Sequence, residues 1–467
     1  MKKLSRLTTK NKPAFILFFT IFAFVALLLI FNQPIASFAA SQDQSQPEVG
    51  TQLSGPYVSD PVAPTNTAGM PRASLYNEVT ATPPLIQNAF ELPGTARTAA
   101  VPVSADAALQ TNVGIFSMPA PITNWDGIPA TGVFPPDTNG QIGSNHYVQV
   151  VNASGAGTQI RVWDKTGTQL YNFGMNYLWP TGDRCRSYGY GDPVVVYDQI
   201  ANRWVLTQFT NPPSAPYGEC FAVSKTSTPT DNPNDWYLYT FNVHNSKFND
   251  YPKIGVWPDG YYMSANQFGA SWGGAGVWVF DRAKMITGQT ATFQYFDLYG
   301  VNSNYGGLLP SNLMGDTLPP TGAPNYFMAV DMDWSGSNDI MHVWEFKTNW
   351  TTPSSSTFTL VKDLVVATFS WNFPGSSGAE VPQPDTSQGL DNLADRLMMH
   401  LWYRNYGDHE SLVVTHTVNN SANIHAVRWY EIRGGTVNTT LSDATIYQQG
   451  TYSPDNTHRW MGSVAMD

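Results

Sequence analysis

The sequence predicts an all-β fold: a β-propeller of about five four-stranded blades plus a partial sixth, preceded by a signal helix and a disordered linker. Three observations carry this expectation. Only 13% of the 467 residues are charged, while 13% are aromatic, and Gly (38) and Pro (34) are plentiful. An ordinary globular chain carries about 25% charged residues, so this composition favours short strands and many turns over long helices. From about residue 116 onward, short β-branched and aromatic runs alternate with Gly, Pro, Asn and Asp clusters, as strands and turns do. The runs fall into groups of four that recur every 50–60 residues or so, the sequence signature of propeller blades.

The N-terminal residues come first. Lys2, Lys3, Arg6, Lys10 and Lys12 form a basic stretch, and Ala14 to Phe31 is apolar apart from Thr20. Ser37-Phe38-Ala39 then places small residues where a signal peptidase needs them, so 1–39 reads as a signal peptide cleaved after Ala39. An uncleaved signal anchor is the alternative, because an apolar run of this length also spans a bilayer. Either way the rest of the chain is expected outside the cell or at its surface, with membrane contact only through this segment. Residues 40–115 are rich in Pro, Ala, Thr, Ser and Gln without a sustained period, and read as a linker.

Five groups of runs follow, at roughly 132–176, 190–245, 250–298, 305–366 and 392–453. A single four-stranded sheet cannot bury both its faces, whereas sheets packed face to face around an axis bury them all. The third run of four groups carries a Trp at the same place: Trp163, Trp278, Trp344 and Trp429. Those rings are expected in the packing between blades. A further first run begins at His458-Arg459-Trp460-Met461-Gly462, which reads either as the start of another blade or as a strand completing the first.

The stretches PPDTNGQIGSNHYVQVVN, GDPVVVYDQIANRWVLTQF, DYPKIGVWPDGYYMS, DHESLVVTHTVN and HRWMGSVAMD resemble a family of bacterial secreted β-propeller-like proteins. The resemblance covers about 130–467 and implies a propeller and an extracellular setting, with no particular activity.

Candidate sites follow from the repeat. First strands of propeller blades line the axis, and their starts here carry Asp137, Asp192, Asp250, Asp395-Arg396 and Arg459. Converging carboxylates and guanidiniums clamp ligands or work as general acid and base. Alternatively each Asp caps its own turn. Asp331, Asp333, Ser335 and Asp339 are spaced like the start of a calcium loop, the one cofactor suggested. The twelfth position is His342 instead of the usual Glu, and Ser-Gly-Ser-Asn also suits a hairpin turn. Gly269-Ala-Ser271-Trp-Gly273 matches a nucleophile elbow in letters but lacks the helix that motif requires. Cys185 and Cys220 are expected to form a disulfide, as such pairs do outside the cytoplasm.

A net charge of −11 repels phosphate backbones, which excludes generic nucleic-acid binding. The leading expectation is therefore an exported ligand-binding or surface-scaffold propeller, with carbohydrate or a surface protein as partner. The alternative is a polysaccharide-acting enzyme, a glycoside hydrolase or lyase, working through the axial Asp and Arg residues. The two part over one feature: whether the axial carboxylates gather in a close, partly buried cluster with raised pKa values.

Overall fold

In the run Val194-Val195-Val196, Val194 and Val196 pack on one side of their sheet and Val195 on the other. Successive side chains of a strand point to opposite faces, so a run apolar at every position marks a strand buried on both sides. The computed structural model describes residues 49–74, 106–110, 120–331, 339–370, 381–420, 422–434 and 440–466. The expected signal segment, 1–39, lies outside these residues. Among them no helix is long and apolar enough to cross a membrane.

The described residues form five four-stranded antiparallel blades, at 139–174, 189–244, 248–297, 309–365 and 397–452. Each starts or ends within a few residues of its expected group. The first strands are Asn139–Ile142, Gly189–Asp198, Phe248–Trp257, Leu309–Leu313 and Leu397–Asn405. They adjoin one another in succession and so line the axis. Side-chain amides stitch them together: Asn139 Oδ1 accepts from Val195 N–H at 2.9 Å, and Asn312 Oδ1 from Val256 N–H at 3.0 Å. The first strands of blades 4 and 5 also pair directly, in parallel, from Ser311↔Leu401 to Leu313↔Tyr403.

The core is divided among the blade junctions. Val148, Val150, Val195, Trp204 and Leu206 fill the space between blades 1 and 2. Val196, Ile254, Met263 and Trp278 fill that between blades 2 and 3. Tyr262, Phe327, Trp344, Leu401 and Val414 belong to the cluster shared by blades 3, 4 and 5. Full burial of one such side chain contributes about 1.5–3 kcal/mol. The recurrent Trp163, Trp278 and Trp344 are buried as expected, while Trp429 is half-buried and donates to Gln110 Oε1 at 3.0 Å.

The linker expectation is corrected over 49–74 and 106–110. Gln52–Ser54 adds a strand to the outer edge of blade 4, and Tyr57–Val58 to that of blade 3. Thr65 N–H then donates to Leu238 O on the outer strand of blade 2 at 2.7 Å, and Arg72 pairs with Asp231 beyond that blade. Leu109–Gln110 pairs with the last strand of blade 5, and the buried ion pair Asp106–Arg428, at 2.6 Å, fixes it there. Exposed sheet edges carry unpaired N–H and C=O groups that need covering. A segment that supplies this cover works through its backbone, so its side chains show no hydrophobic period.

The segment from Arg459 to Met466 forms no paired strand and lies along blade 5. Arg459 N–H donates to His425 O and Met461 N–H to Thr417 Oγ1. Arg459 itself is bound bidentately by Asp455 near the surface, so the expectation that it reaches the axis is corrected.

Cys185, on the short helix Arg184–Tyr188, is joined to Cys220 in the third strand of blade 2. The bridge spans a separation of 35 residues, which corresponds to about 4 kcal/mol of stabilisation from the restricted unfolded chain. Replacing both cysteines by serine is expected to lower the unfolding free energy measured in urea by that much; a value within error of the parent would refute this.

Candidate active site in the axial channel

The site forms where the first strands of blades 1, 2 and 3 begin. Asp137, Asp192 and Tyr251 stand at equivalent places and share left-handed backbone, with φ of 44°, 47° and 55°. Aspartate tolerates this region better than most residues. A bulky Tyr does not, and such strain costs about 1–3 kcal/mol. The Asp192 N–H is held by Asn152 Oδ1 at 2.8 Å, and the Tyr251 N–H donates to Asp192 Oδ2 at 3.1 Å. An irregularity between Asp250 and Lys253 takes Tyr251 and Pro252 out of the ladder and brings Lys253 in beside the carboxylates.

Three of the expected axial residues therefore meet. The Asp137 and Asp192 carboxyls act closely on each other, and both are raised above the usual carboxylate value. Burial raises Asp137, against the pull of Lys253. Asp192 is pushed well above the usual range, first by burial and then by the charges of Asp137 and Asp250. Asp250 is pushed up to about 7, by burial and by Asp137. Lys253 is lowered to about 8 because burial outweighs the attraction of the carboxylates.

Asp395 and Arg396 are drawn to the edge of the same cluster. Arg396 grips Asp395 with two hydrogen bonds of 2.7 and 2.9 Å and lies 5.2 Å from the centre of the Tyr251 ring. His400 of blade 5 also faces the cluster. It is buried, its Nε2 has no partner among the described residues, and burial beside Lys253 lowers its pKa to about 4. A run of aromatic rings is carried by the same strands. Tyr190 lies two residues before Asp192, and Phe248 two before Asp250. The centroids of Tyr190 and Phe209 are 6.3 Å apart, Phe209 and Phe248 4.8 Å, and Tyr217 and Phe248 5.6 Å. Tyr188 and Tyr190 are exposed, whereas Trp179 is fully buried.

Sequence reasoning missed Lys253, Tyr251 and His400. A signal for Lys253 was present: it is a charge inside a first strand, directly before the apolar run Ile254–Trp257 and after Pro252. Nothing in the one-dimensional pattern marks Tyr251 or His400, whose places depend on a backbone irregularity and on the turn of blade 5 toward blade 3.

The calcium expectation does not find its ligands together. Asp331 Oδ2 is 3.2 Å from His342 Nε2, while Asp363 Oδ1 is 2.6 Å from its Nδ1. Burial alone would lower His342, but these two aspartates raise it to about 9, so it pairs with them as a cation. Asp339 Oδ2 instead accepts from Phe369 N–H at 2.8 Å. Asp333 and Ser335 lie outside the described residues. Among the described residues no three His, Cys, Asp or Glu side chains gather as a metal site. The Gly269–Gly273 segment is the loop and strand start of a β-hairpin, without a following helix.

No protein-family model matches the chain, and no curated protein matches it. Solved structures give distant likenesses. One is a GH43 endo-arabinanase from Bacillus licheniformis, 12% identical, covering 64% of this chain and 93% of that chain with a TM-score of 0.30. Another is an α-L-arabinanase from Cellvibrio cellulosa complexed with arabinohexaose, 12% identical, covering 64% of this chain and 92% of that chain with a TM-score of 0.29.

Proposed function

We propose that the chain is an exported hydrolase that cleaves glycosidic bonds in polysaccharides with the carboxyls of Asp137, Asp192 and Asp250. One observation carries this reading. Carboxyls from three successive blades gather at the axis, and burial raises all three above the usual carboxylate value. Surface aspartates that only cap their own turns have no reason to do this, so the geometry favours the enzyme over the scaffold.

The roles follow from the environments. Glycoside cleavage needs one carboxyl that gives a proton to the departing oxygen and one carboxylate that activates water or attacks the sugar. Asp192, pushed well above the usual range, serves as the acid. Asp137, which acts closely on it, works with it as one unit. Asp250 is the second carboxyl, ionised above its pKa of about 7. Tyr190, exposed at the rim beside Asp192, offers a flat face on which a sugar ring stacks. The basic and apolar segments at the N-terminus support the exported setting.

The test is release of reducing ends from a panel of neutral and acidic polysaccharides by the purified full chain. Release from at least one member is expected. No release from protein shown to be folded would return the chain to the binding-scaffold reading.

A further inference from the structure

Lys253 is the charged group of the axial cluster with the least ordinary surroundings. Its ammonium lies 3.2 Å from the centre of the Tyr251 ring and donates to Pro252 O at 3.1 Å. Among the described residues it makes no ion pair, although three carboxylates surround it. Arg396, by contrast, is fully engaged by Asp395. The groups that face Lys253 are Asp137 from blade 1, Asp192 from blade 2, Asp250 and Tyr251 from its own strand, and Arg396 and His400 from blade 5. A cation locked onto one carboxylate would favour that one alone. A cation seated on a ring face and a carbonyl acts on all three at a distance, through Coulomb forces that burial leaves strong.

We propose that Lys253 is the positioning residue of the axial site: held off the carboxylates by the Tyr251 ring and the Pro252 carbonyl, it draws all three toward their charged forms at once. This rests on the hydrolase reading for its purpose but not for its test. The strained backbone of Tyr251 has a use on this account, because it places the ring under the ammonium.

The experiment is a carboxyl-carbon NMR titration of the full chain labelled at Asp, in the parent, Lys253→Met, Lys253→Arg and Tyr251→Leu. Without the cation, the charged forms of Asp137, Asp192 and Asp250 lose their attraction. Lys253→Met is therefore expected to move the site midpoints up by about one pH unit. Lys253→Arg, which keeps the charge, should leave them within a few tenths. Tyr251→Leu removes the seat and lets the ammonium close on a carboxylate, so at least one midpoint should fall. Unmoved midpoints in Lys253→Met, or equal movement in Lys253→Met and Lys253→Arg, would overturn the proposal. If Lys253→Met does not fold, an unchanged titration in Tyr251→Leu overturns it instead. The readout needs no substrate: midpoints that move in a chain without hydrolysis leave Lys253 standing and sink the hydrolase, while a hydrolase with unmoved midpoints does the reverse.

Discussion

Asp192→Asn is expected to lower polysaccharide hydrolysis by about 10²–10⁴-fold, the usual contribution of a positioned proton donor. Asparagine keeps the shape and still accepts from the Tyr251 N–H, so the left-handed turn that carries position 192 should survive. The exchange removes the titrating proton of a carboxyl that burial pushes well above the usual range. The loss should fall on kcat with little change in KM, because the group acts in bond breaking and not in sugar stacking. A variant that keeps more than half the parent's kcat would remove Asp192 from the chemistry.

The same substitution has an opposite effect on stability. Asp192 and Asp250 have folded-state pKa values raised above their unfolded ones. Their contribution is fully present below about pH 4 and is lost as pH rises through the folded values, near 7 for Asp250 and above the usual range for Asp192. Above pH 7 the raised carboxyls therefore cost the fold stability. Asp192→Asn relieves this and should raise stability at pH 8 relative to the parent. Urea unfolding at pH 4 and pH 8 checks this: the gain should appear only at the higher pH.

Asp198→Ala should destabilise the fold by about 3–5 kcal/mol, the largest single-residue effect expected outside the site. Asp198 ends the first strand of blade 2 and its side chain is fully buried. It accepts from Arg282 Nε at 2.6 Å and Nη2 at 3.0 Å, from Tyr261 Oη at 2.8 Å and from Ala201 N–H at 3.0 Å. Arg282 and Tyr261 belong to blade 3 and the helix that follows its third strand. The carboxylate is thus the polar pin of the junction between blades 2 and 3, and its removal strands a buried guanidinium. Replacing both partners by apolar residues should cost far less, since no unpaired charge remains. An unfolding free energy for Asp198→Ala within about 0.5 kcal/mol of the parent in urea would show that the junction is held by packing alone.

The five blades were legible in the sequence because each is a local object. Antiparallel neighbours joined by short turns write their period and their breaks directly into consecutive residues, and inner runs such as Val194-Val195-Val196 announce burial on both faces. Equivalent strand starts also made Asp137, Asp192 and Asp250 visible as a set. The same logic failed for Arg459, which repeats the pattern but meets Asp455 four residues away instead of the axis.

What the sequence by itself determined is the blade repeat, the disulfide pair and the short roster of axial acids. Only the tertiary structure decided that residues 49–74 clasp the outer edges of the blades, because edge pairing uses backbone groups that every residue has. Only it decided that Lys253 and Tyr251 join the acids and that Asp192 is pushed well above the usual carboxylate range. Those outcomes depend on charges brought together from blades more than fifty residues apart and on the low-dielectric surroundings they share, and neither distance nor dielectric is a property of a linear chain.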